Sequence, residues 1–136
     1  MNIINPMDNP ELLRNLKDYG FNLKKDLKDC NISGSAYISL LGDFADDCQS
    51  NKFGIHLYST AHKFVHVYKS RHKDSVNNRG KSSGFRIICI VQNNEFAYII
   101  HIYSKSSGKH PKANISPKEL SSLKALADDI EKQYIN

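Results

Sequence analysis

The chain has 136 residues, of which 40% are hydrophobic and 24% charged, and its formal net charge at pH 7 is +5. A chain of this length buries enough surface for one domain, so we expect a single domain over residues 1–136. No apolar run approaches the ~20 residues that span a bilayer, and the start lacks a signal-peptide pattern. These features predict a cytoplasmic protein with no membrane partner.

Helical periodicity dominates the first third of the chain. The sequence NPE at residues 9–11 is a helix start, because Asn caps helices and Pro in the first turn needs no backbone donor. Apolar residues then recur at spacings of three and four from Leu12 to Cys30, although Gly20 weakens this helix and can split it. A second helical pattern follows SGS at residues 33–35 and extends to Cys48. We expect the two helices to pack as a hairpin.

The second helix carries three aspartates that lie largely off its apolar face. They are Asp43, Asp46 and Asp47. A solvated helix surface is the simpler interpretation, and a docking surface for a basic segment of a partner protein is the alternative.

Positive charge is concentrated in the middle of the chain. Residues 52–86 carry eight Lys or Arg and one Asp or Glu, whereas residues 1–51 carry five and eight. Charge that served only solubility would be spread evenly, so this concentration predicts a local anionic partner. The densest stretch runs from Lys69 to Arg86 and reads KSRHKDSVNNRGKSSGFR. A solvated surface hairpin is the alternative interpretation.

The chain after residue 52 has the composition of strands. Three short runs are rich in Val, Ile, Phe and Tyr: Lys63–Arg71, Gly84–Val91 and Phe96–Lys105. The sequence QNNE at residues 92–95 is a natural hairpin connection, which predicts that the last two runs are antiparallel neighbours. Ile3 and Ile4 are a candidate for a short edge strand.

A capping box, SPKE at residues 116–119, begins a final helix whose apolar face packs on the sheet. The order of elements predicts an α+β fold with an N-terminal helical hairpin, a three- to four-stranded antiparallel sheet and a C-terminal helix.

Three motifs in this order carry a resemblance to a known family. They are RGKSSGFRII at residues 79–88, IYSK at residues 102–105 and ISPKEL at residues 115–120. With them the chain resembles the RelE/ParE superfamily of bacterial toxins, and most of all its HigB-like branch. The resemblance extends from about Phe64 to Leu126 and does not include the first fifty residues. Ser83 stands where that branch has the first glycine of a pair.

The resemblance implies a RelE-like fold and the toxin of a toxin–antitoxin pair, an endoribonuclease that enters the ribosomal A site and cuts messenger RNA. The implied partners are a cognate antitoxin, the ribosome and mRNA. No cofactor and no metal are implied. The positions that match catalytic positions of the family are Lys69, Arg71, Arg86, Tyr103 and Lys105.

The chemistry of RNA cleavage requires such side chains. When a 2′-hydroxyl attacks the adjacent phosphate, the planar guanidinium of Arg86 can hold the phosphoryl oxygens through two hydrogen bonds. Lys69 is our candidate base, because crowding by other cations lowers the pKa of an amine. Lys105 or Tyr103 would protonate the leaving group. We expect alanine at Arg86 to abolish cleavage and to leave the fold intact.

Strand parity makes a geometric prediction about these residues. Lys69 and Arg71 share one face of a strand, as do Tyr103 and Lys105. Phe85, Ile87, Cys89 and Val91 should form the opposite, helix-covered face, away from Arg86. Further RNA contacts are predicted for the neighbouring cations Lys63, Lys73, Arg79 and Lys81.

Several alternatives remain open. His62 and His66 share a face of a predicted strand, but they lack a third metal ligand of fixed spacing. His101 is the histidine best placed as an acid or base, with a solvent-facing side chain as the alternative. Cys30, Cys48 and Cys89 lack C-x-x-C spacing and are interpreted as buried thiols. A nonenzymatic binding module of the same fold, including a gyrase-directed toxin, is the second functional hypothesis.

Overall fold

The computed structural model describes residues 1–74 and 77–135, which form four α-helices, one 3-10 helix and five strands. The strands are β1 (Asn2–Ile4), β2 (Ile55–Ser59), β3 (Val65–His72), β4 (Phe85–Gln92) and β5 (Phe96–Ser104). The α-helices are α1 (Pro10–Lys17), α2 (Leu23–Asp29), α3 (Gly34–Gln49) and α4 (Pro117–Ile135), and the 3-10 helix spans Pro6–Asp8. None of the helices in the described ranges has the length and apolar character that crossing a membrane requires.

The strands form one sheet in the order β1-β5-β4-β3-β2. Strands β2 to β5 pair antiparallel, whereas β1 pairs parallel with β5 at one edge. The predicted α+β class is confirmed, and so is the short edge strand predicted at Ile3 and Ile4, but the sheet is mixed and has five strands rather than the predicted three or four antiparallel ones. The five residues of β2 give too short an alternation to be recognised, and the three residues of β1 do not encode their pairing direction.

The N-terminal helices lie on both faces of the sheet, so the predicted helical hairpin is wrong. Gly20 adopts a positive φ of 87° and separates α1 from α2, which confirms the predicted split. Leu16 and Phe21 belong to the hydrophobic core beneath α4, whereas Leu23 belongs to the core beneath α3. The chain therefore changes face within residues 21–23, and the single apolar stripe read in the sequence serves two separate cores.

Helix α4 covers one face of the sheet and begins with the predicted capping box. The Ser116 backbone N–H donates to Glu119 Oε1 at 2.8 Å, and the Glu119 N–H donates to Ser116 Oγ at 3.1 Å. Leu123, Leu126 and Ala127 of α4 pack on the sheet. The opposite face, covered by α2 and α3, includes the predicted set Phe85, Ile87, Cys89 and Val91.

The β4–β5 hairpin is confirmed, and its turn contains Asn93 and Asn94 with φ of 51° and 55°. Asparagine tolerates this left-handed conformation better than most residues. The hairpin lies at one end of the sheet. The opposite end brings together the last residues of β3, the first of β4 and the last of β5.

Candidate functional site

The strand register places three predicted site residues in one row. Arg71 on β3 pairs with Arg86 on β4, which pairs with Tyr103 on β5. Paired residues on neighbouring strands point to the same face, so the three side chains lie on the face that α4 partly covers. Lys69 lies on this face two residues before Arg71. Lys105 follows the end of β5, where its backbone N–H donates to the Gly84 carbonyl at 3.1 Å.

We call Lys69, Arg71, Arg86 and Lys105 the cationic cluster. Burial lowers the pKa of Lys69, and the charges of Arg86, Arg71 and Lys105 lower it further. The Lys69 ammonium donates to Asn114 Oδ1 at 3.1 Å. Within residues 1–74 and 77–135, no carboxylate forms an ion pair with any member of the cluster. The cluster is therefore positive charge without a protein counter-ion in that part of the chain.

Arg86 is buried, with 2% of its surface exposed, and its guanidinium is held by backbone carbonyls. Nη1 donates to the Lys81 carbonyl and Nη2 to the Ser82 carbonyl, each at 2.8 Å, and a longer bond reaches the Phe85 carbonyl. Burial and the charge of Arg71 lower the pKa of Arg86. A guanidinium has five N–H groups, so two of them take no part in these three bonds. Arg86 is thus an anchored cation rather than the freely exposed one that the motif suggests.

Gly84 allows the chain to enter β4 beside the end of β3. A Cβ atom at this position would lie 2.3 Å from the His72 carbonyl oxygen and 2.9 Å from the backbone nitrogen of Asp74. Only glycine permits such a close approach of two backbones. This packing fixes the chain immediately before β4, two residues before Arg86.

Tyr103 is buried beside the cationic cluster, with 3% of its surface exposed. Its hydroxyl has no hydrogen-bond partner within the described residues. The Lys112 ammonium lies over its ring, 5.0 Å from the centroid. Burial raises the pKa of Tyr103, and the charge of Arg86 opposes that increase only partly. The phenol therefore keeps its proton at neutral pH and is a donor.

Behind Tyr103 lies a row of charged side chains, which we call the charged row: Asp26, His101, Glu119 and Lys112. His101 Nδ1 lies 2.8 Å from Asp26 Oδ2, and its Nε2 lies 3.3 Å from Glu119 Oε2 without the alignment of a hydrogen bond. The Lys112 ammonium donates to both Glu119 oxygens, at 2.8 and 2.7 Å. Burial favours neutral His101, but the Asp26 and Glu119 carboxylates outweigh it and raise the pKa of His101.

The charged row was only partly visible in the sequence. His101 stands out as a candidate acid or base, but the alternative of a solvent-facing side chain is wrong, because the residue is 8% exposed. Glu119 is recognisable only as a helix cap. Asp26 and Lys112 carry no sequence signal, since one belongs to a charged helix face and the other to a polar segment.

The four predicted RNA contacts do not lie together. Lys73 and Lys81 line a cleft of about 260 Å³ with Asp43, Asp46 and Asp47 of α3, so these aspartates face the basic segment. Arg79 is exposed, and its backbone pairs with that of Asp74. Lys63 precedes β3 with a φ of 58°, roughly 20 Å from Lys69 along the strand. Lys63 is therefore separate from the cationic cluster. The sequence predicts that a strand begins at Lys63, but β3 begins at Val65.

The remaining sequence candidates have structural explanations. His62 lies in a turn and His66 in β3, where its Nδ1 contacts Ser59 Oγ at 2.7 Å, so the shared strand face is wrong. In the part of the chain that is described, no three His, Cys, Asp or Glu residues converge as metal ligands. The cysteine prediction is confirmed. All three thiols are free and buried, and burial raises the pKa of Cys30 to about 12 and of Cys48 to about 11.

Comparison with known proteins gives no identification: no family model, curated protein or solved structure matches the chain.

Proposed function

We propose that the protein is a metal-independent endoribonuclease of the RelE/ParE type, the toxin of a toxin–antitoxin pair, which cuts mRNA on the ribosome. The observation that carries the proposal is the cationic cluster. Two arginines face each other across β3 and β4, with two lysines nearby and no acidic partner in the described residues. Like charges in cross-strand pairs destabilise a sheet, so a phosphate ligand supplies a reason for keeping them.

The arrangement supports a cleavage route in which protons and bonds balance. Neutral Lys69 accepts the proton of the 2′-hydroxyl while the 2′-oxygen attacks the adjacent phosphorus. Arg71 and the free N–H groups of Arg86 hold the phosphoryl oxygens as their charge increases. The bond from phosphorus to the 5′-oxygen breaks, and the phenol of Tyr103 donates its proton to that oxygen. The products are a 2′,3′-cyclic phosphate and a 5′-hydroxyl end.

The burial of Arg86 and Tyr103 favours a second candidate function. A surface with exposed Arg71 and Lys105 but recessed catalytic groups fits a module that grips nucleic acid or a protein such as gyrase without cutting RNA. Under this alternative the cationic cluster binds a polyanion and Tyr103 is a packing residue.

Cleavage assays during translation separate the two functions. Purified protein is added to a reconstituted translation reaction, and the new RNA ends are mapped and tested for 5′-hydroxyl and cyclic-phosphate groups. We expect breaks in translated mRNA from the wild type. Growth arrest without RNA breaks, together with salt-dependent binding, would favour the nonenzymatic module.

A further inference from the structure

Burying the side chains of the charged row costs free energy unless each charge has a neighbour of opposite sign. The side chains of His101 and Asp26 are 10% and 14% exposed, and those of Lys112 and Glu119 are 31% and 26% exposed. Burying one of these charges without a partner would destabilise the fold, whereas alternating signs offset much of that penalty. Each charge therefore depends on the next one in the row.

The row joins three separate elements at the edge of the sheet. Strand β1 pairs with β5 only along Phe96–Tyr98, so the later part of β5 lacks a strand neighbour on that side. There Asp26 of α2 accepts the Ile102 backbone N–H at 3.1 Å as well as the His101 contact. Glu119 in the first turn of α4 reaches the other side of the same imidazole.

The row ends on the ring of Tyr103. Lys112, held by Glu119 and by its backbone bond to the Ser104 carbonyl, places its ammonium on that ring. The His101 ring lies 5.6 Å from the Tyr103 ring, centroid to centroid. Because the Tyr103 hydroxyl has no protein partner in the described residues, contacts to its ring set the position of the phenol.

We propose that His101 is a positioning residue for Tyr103: its imidazolium joins Asp26 to Glu119, and Glu119 holds Lys112 against the phenol ring. The inference rests on the proposed function, because the positioned group is the one that would protonate the leaving 5′-oxygen. Through Asp26, it gives α2, which lies outside the stretch that resembles the toxin family, an indirect part in the site.

Other titratable groups face the same region. Asp29, Cys30 and His110 line a cavity of about 150 Å³ together with His101, Tyr103 and Lys112. Lys112 opposes the imidazolium, because its positive charge lowers the pKa of His101 while the Asp26 and Glu119 carboxylates raise it. The thiol of Cys30 is neutral, since burial raises its pKa to about 12.

The first test compares His101→Gln with His62→Gln, a matched change of an exposed histidine in the β2–β3 turn. We expect His101→Gln to lower kcat for cleavage about 10- to 100-fold with KM unchanged, because a misplaced proton donor slows chemistry but not binding. The His62 variant should retain wild-type values. A folded His101→Gln protein with wild-type kcat would overturn the inference.

Asp26→Asn gives a variant that keeps the shape of the side chain and removes its charge. In this variant we expect the ¹⁵N-histidine NMR titration of His101 to move to lower pH. We also expect the ratio of the variant's kcat to the wild-type kcat to fall as pH rises. A purely structural Asp26 would lower stability and shift the His101 titration but leave the pH dependence of kcat unchanged, and that outcome contradicts the inference.

The Tyr103 ¹³Cζ resonance reports on the coupling without any cleavage. We expect it to shift in wild type with the midpoint of His101, and not to shift over that range in His101→Gln. If the Tyr103 resonance did not shift with the titration of His101, the positioning role would be overturned. Wild-type protein that shows the coupled shift but leaves translated mRNA intact would instead refute the proposed nuclease function.

Discussion

Arg71 and Arg86 are the residues whose placement is hardest to explain by stability alone. Their cross-strand pairing joins two positive charges, and no acid in the described residues neutralises them. Such a pair costs of the order of 0.5 kcal/mol in a sheet. The two arginines differ in their environment, since Arg71 is exposed and Arg86 is buried and bonded to carbonyls. We infer that Arg86 orients the site and Arg71 meets the ligand first.

Lys69→Arg tests the assignment of the base. The guanidinium keeps the positive charge but does not lose its proton, so RNA binding should remain while cleavage falls at least about 100-fold. Single-turnover cleavage and filter binding measure the two properties separately. Lys132→Arg, on the exposed last turn of α4, is the matched control. Cleavage at the wild-type rate by Lys69→Arg would exclude Lys69 as the base.

Arg86→Ala should affect both cleavage and the fold. Its removal leaves the Lys81 and Ser82 carbonyls without their donor, which we expect to lower the free energy of unfolding by about 1–3 kcal/mol. The expectation that this variant keeps an intact fold is therefore revised. Urea denaturation measures the loss, and stability equal to wild type would show that the carbonyl contacts contribute nothing.

The elements at the site end of the sheet depend on close backbone packing. Gly84→Ala would force a Cβ atom against the His72 carbonyl oxygen and should cost about 1–3 kcal/mol of unfolding free energy. Gly80→Ala is the matched control, because a Cβ there meets nothing within 4 Å. Urea denaturation of both variants checks the difference, and equal stabilities would contradict the close approach of β4 to the end of β3.

The charged row links α2, β5 and α4 and makes stability depend on pH. The folded pKa of His101 is raised above its ordinary value of about 6.5, so its contribution is complete below that pH and is lost as pH rises through the folded pKa. We expect the free energy of unfolding to fall as pH rises above about 6.5, and less so in His101→Gln. Identical pH profiles for the two proteins would contradict an imidazolium in the row.

How far the sequence predicts these elements depends on what each pattern encodes. Alternation and turn residues locate β3, β4, β5 and the capped α4, because those signals are local. The sequence does not reveal that Leu16 and Leu23 bury on opposite faces, since both continue the same periodic stripe. The motif and the strand parity predict the cations of the site. The contact between Asp26 and His101 is not predictable in this way, because it joins residues 75 apart in sequence.

At the scale of the whole molecule, the two ends of the sheet differ in their charge. The cationic cluster lies at the end opposite the β4–β5 hairpin, and Lys73 and Lys81 lie near it against the α3 aspartates. Those carboxylates offset part of the surrounding positive charge. A polyanion is therefore attracted most strongly to the unneutralised cluster.

Salt dependence measures how many cations the RNA neutralises. With Lys69 neutral, contacts by Arg71, Arg86 and Lys105 to single-stranded RNA predict a slope of about −2 in a plot of log binding constant against log salt concentration. Lys105→Ala should reduce its magnitude by about 0.7, whereas Lys132→Ala should not change it. A slope near zero for wild type would exclude binding through the cationic cluster.

The most direct measurement is 5′-end mapping of an mRNA translated in the presence of wild-type protein, Lys69→Arg or Arg86→Ala. We predict new 5′-hydroxyl ends within translated codons for the wild type, strongly reduced ends for both variants, and none when ribosomes are omitted. Intact message with wild-type protein, or equal cleavage by all three proteins, would contradict catalysis by the cationic cluster.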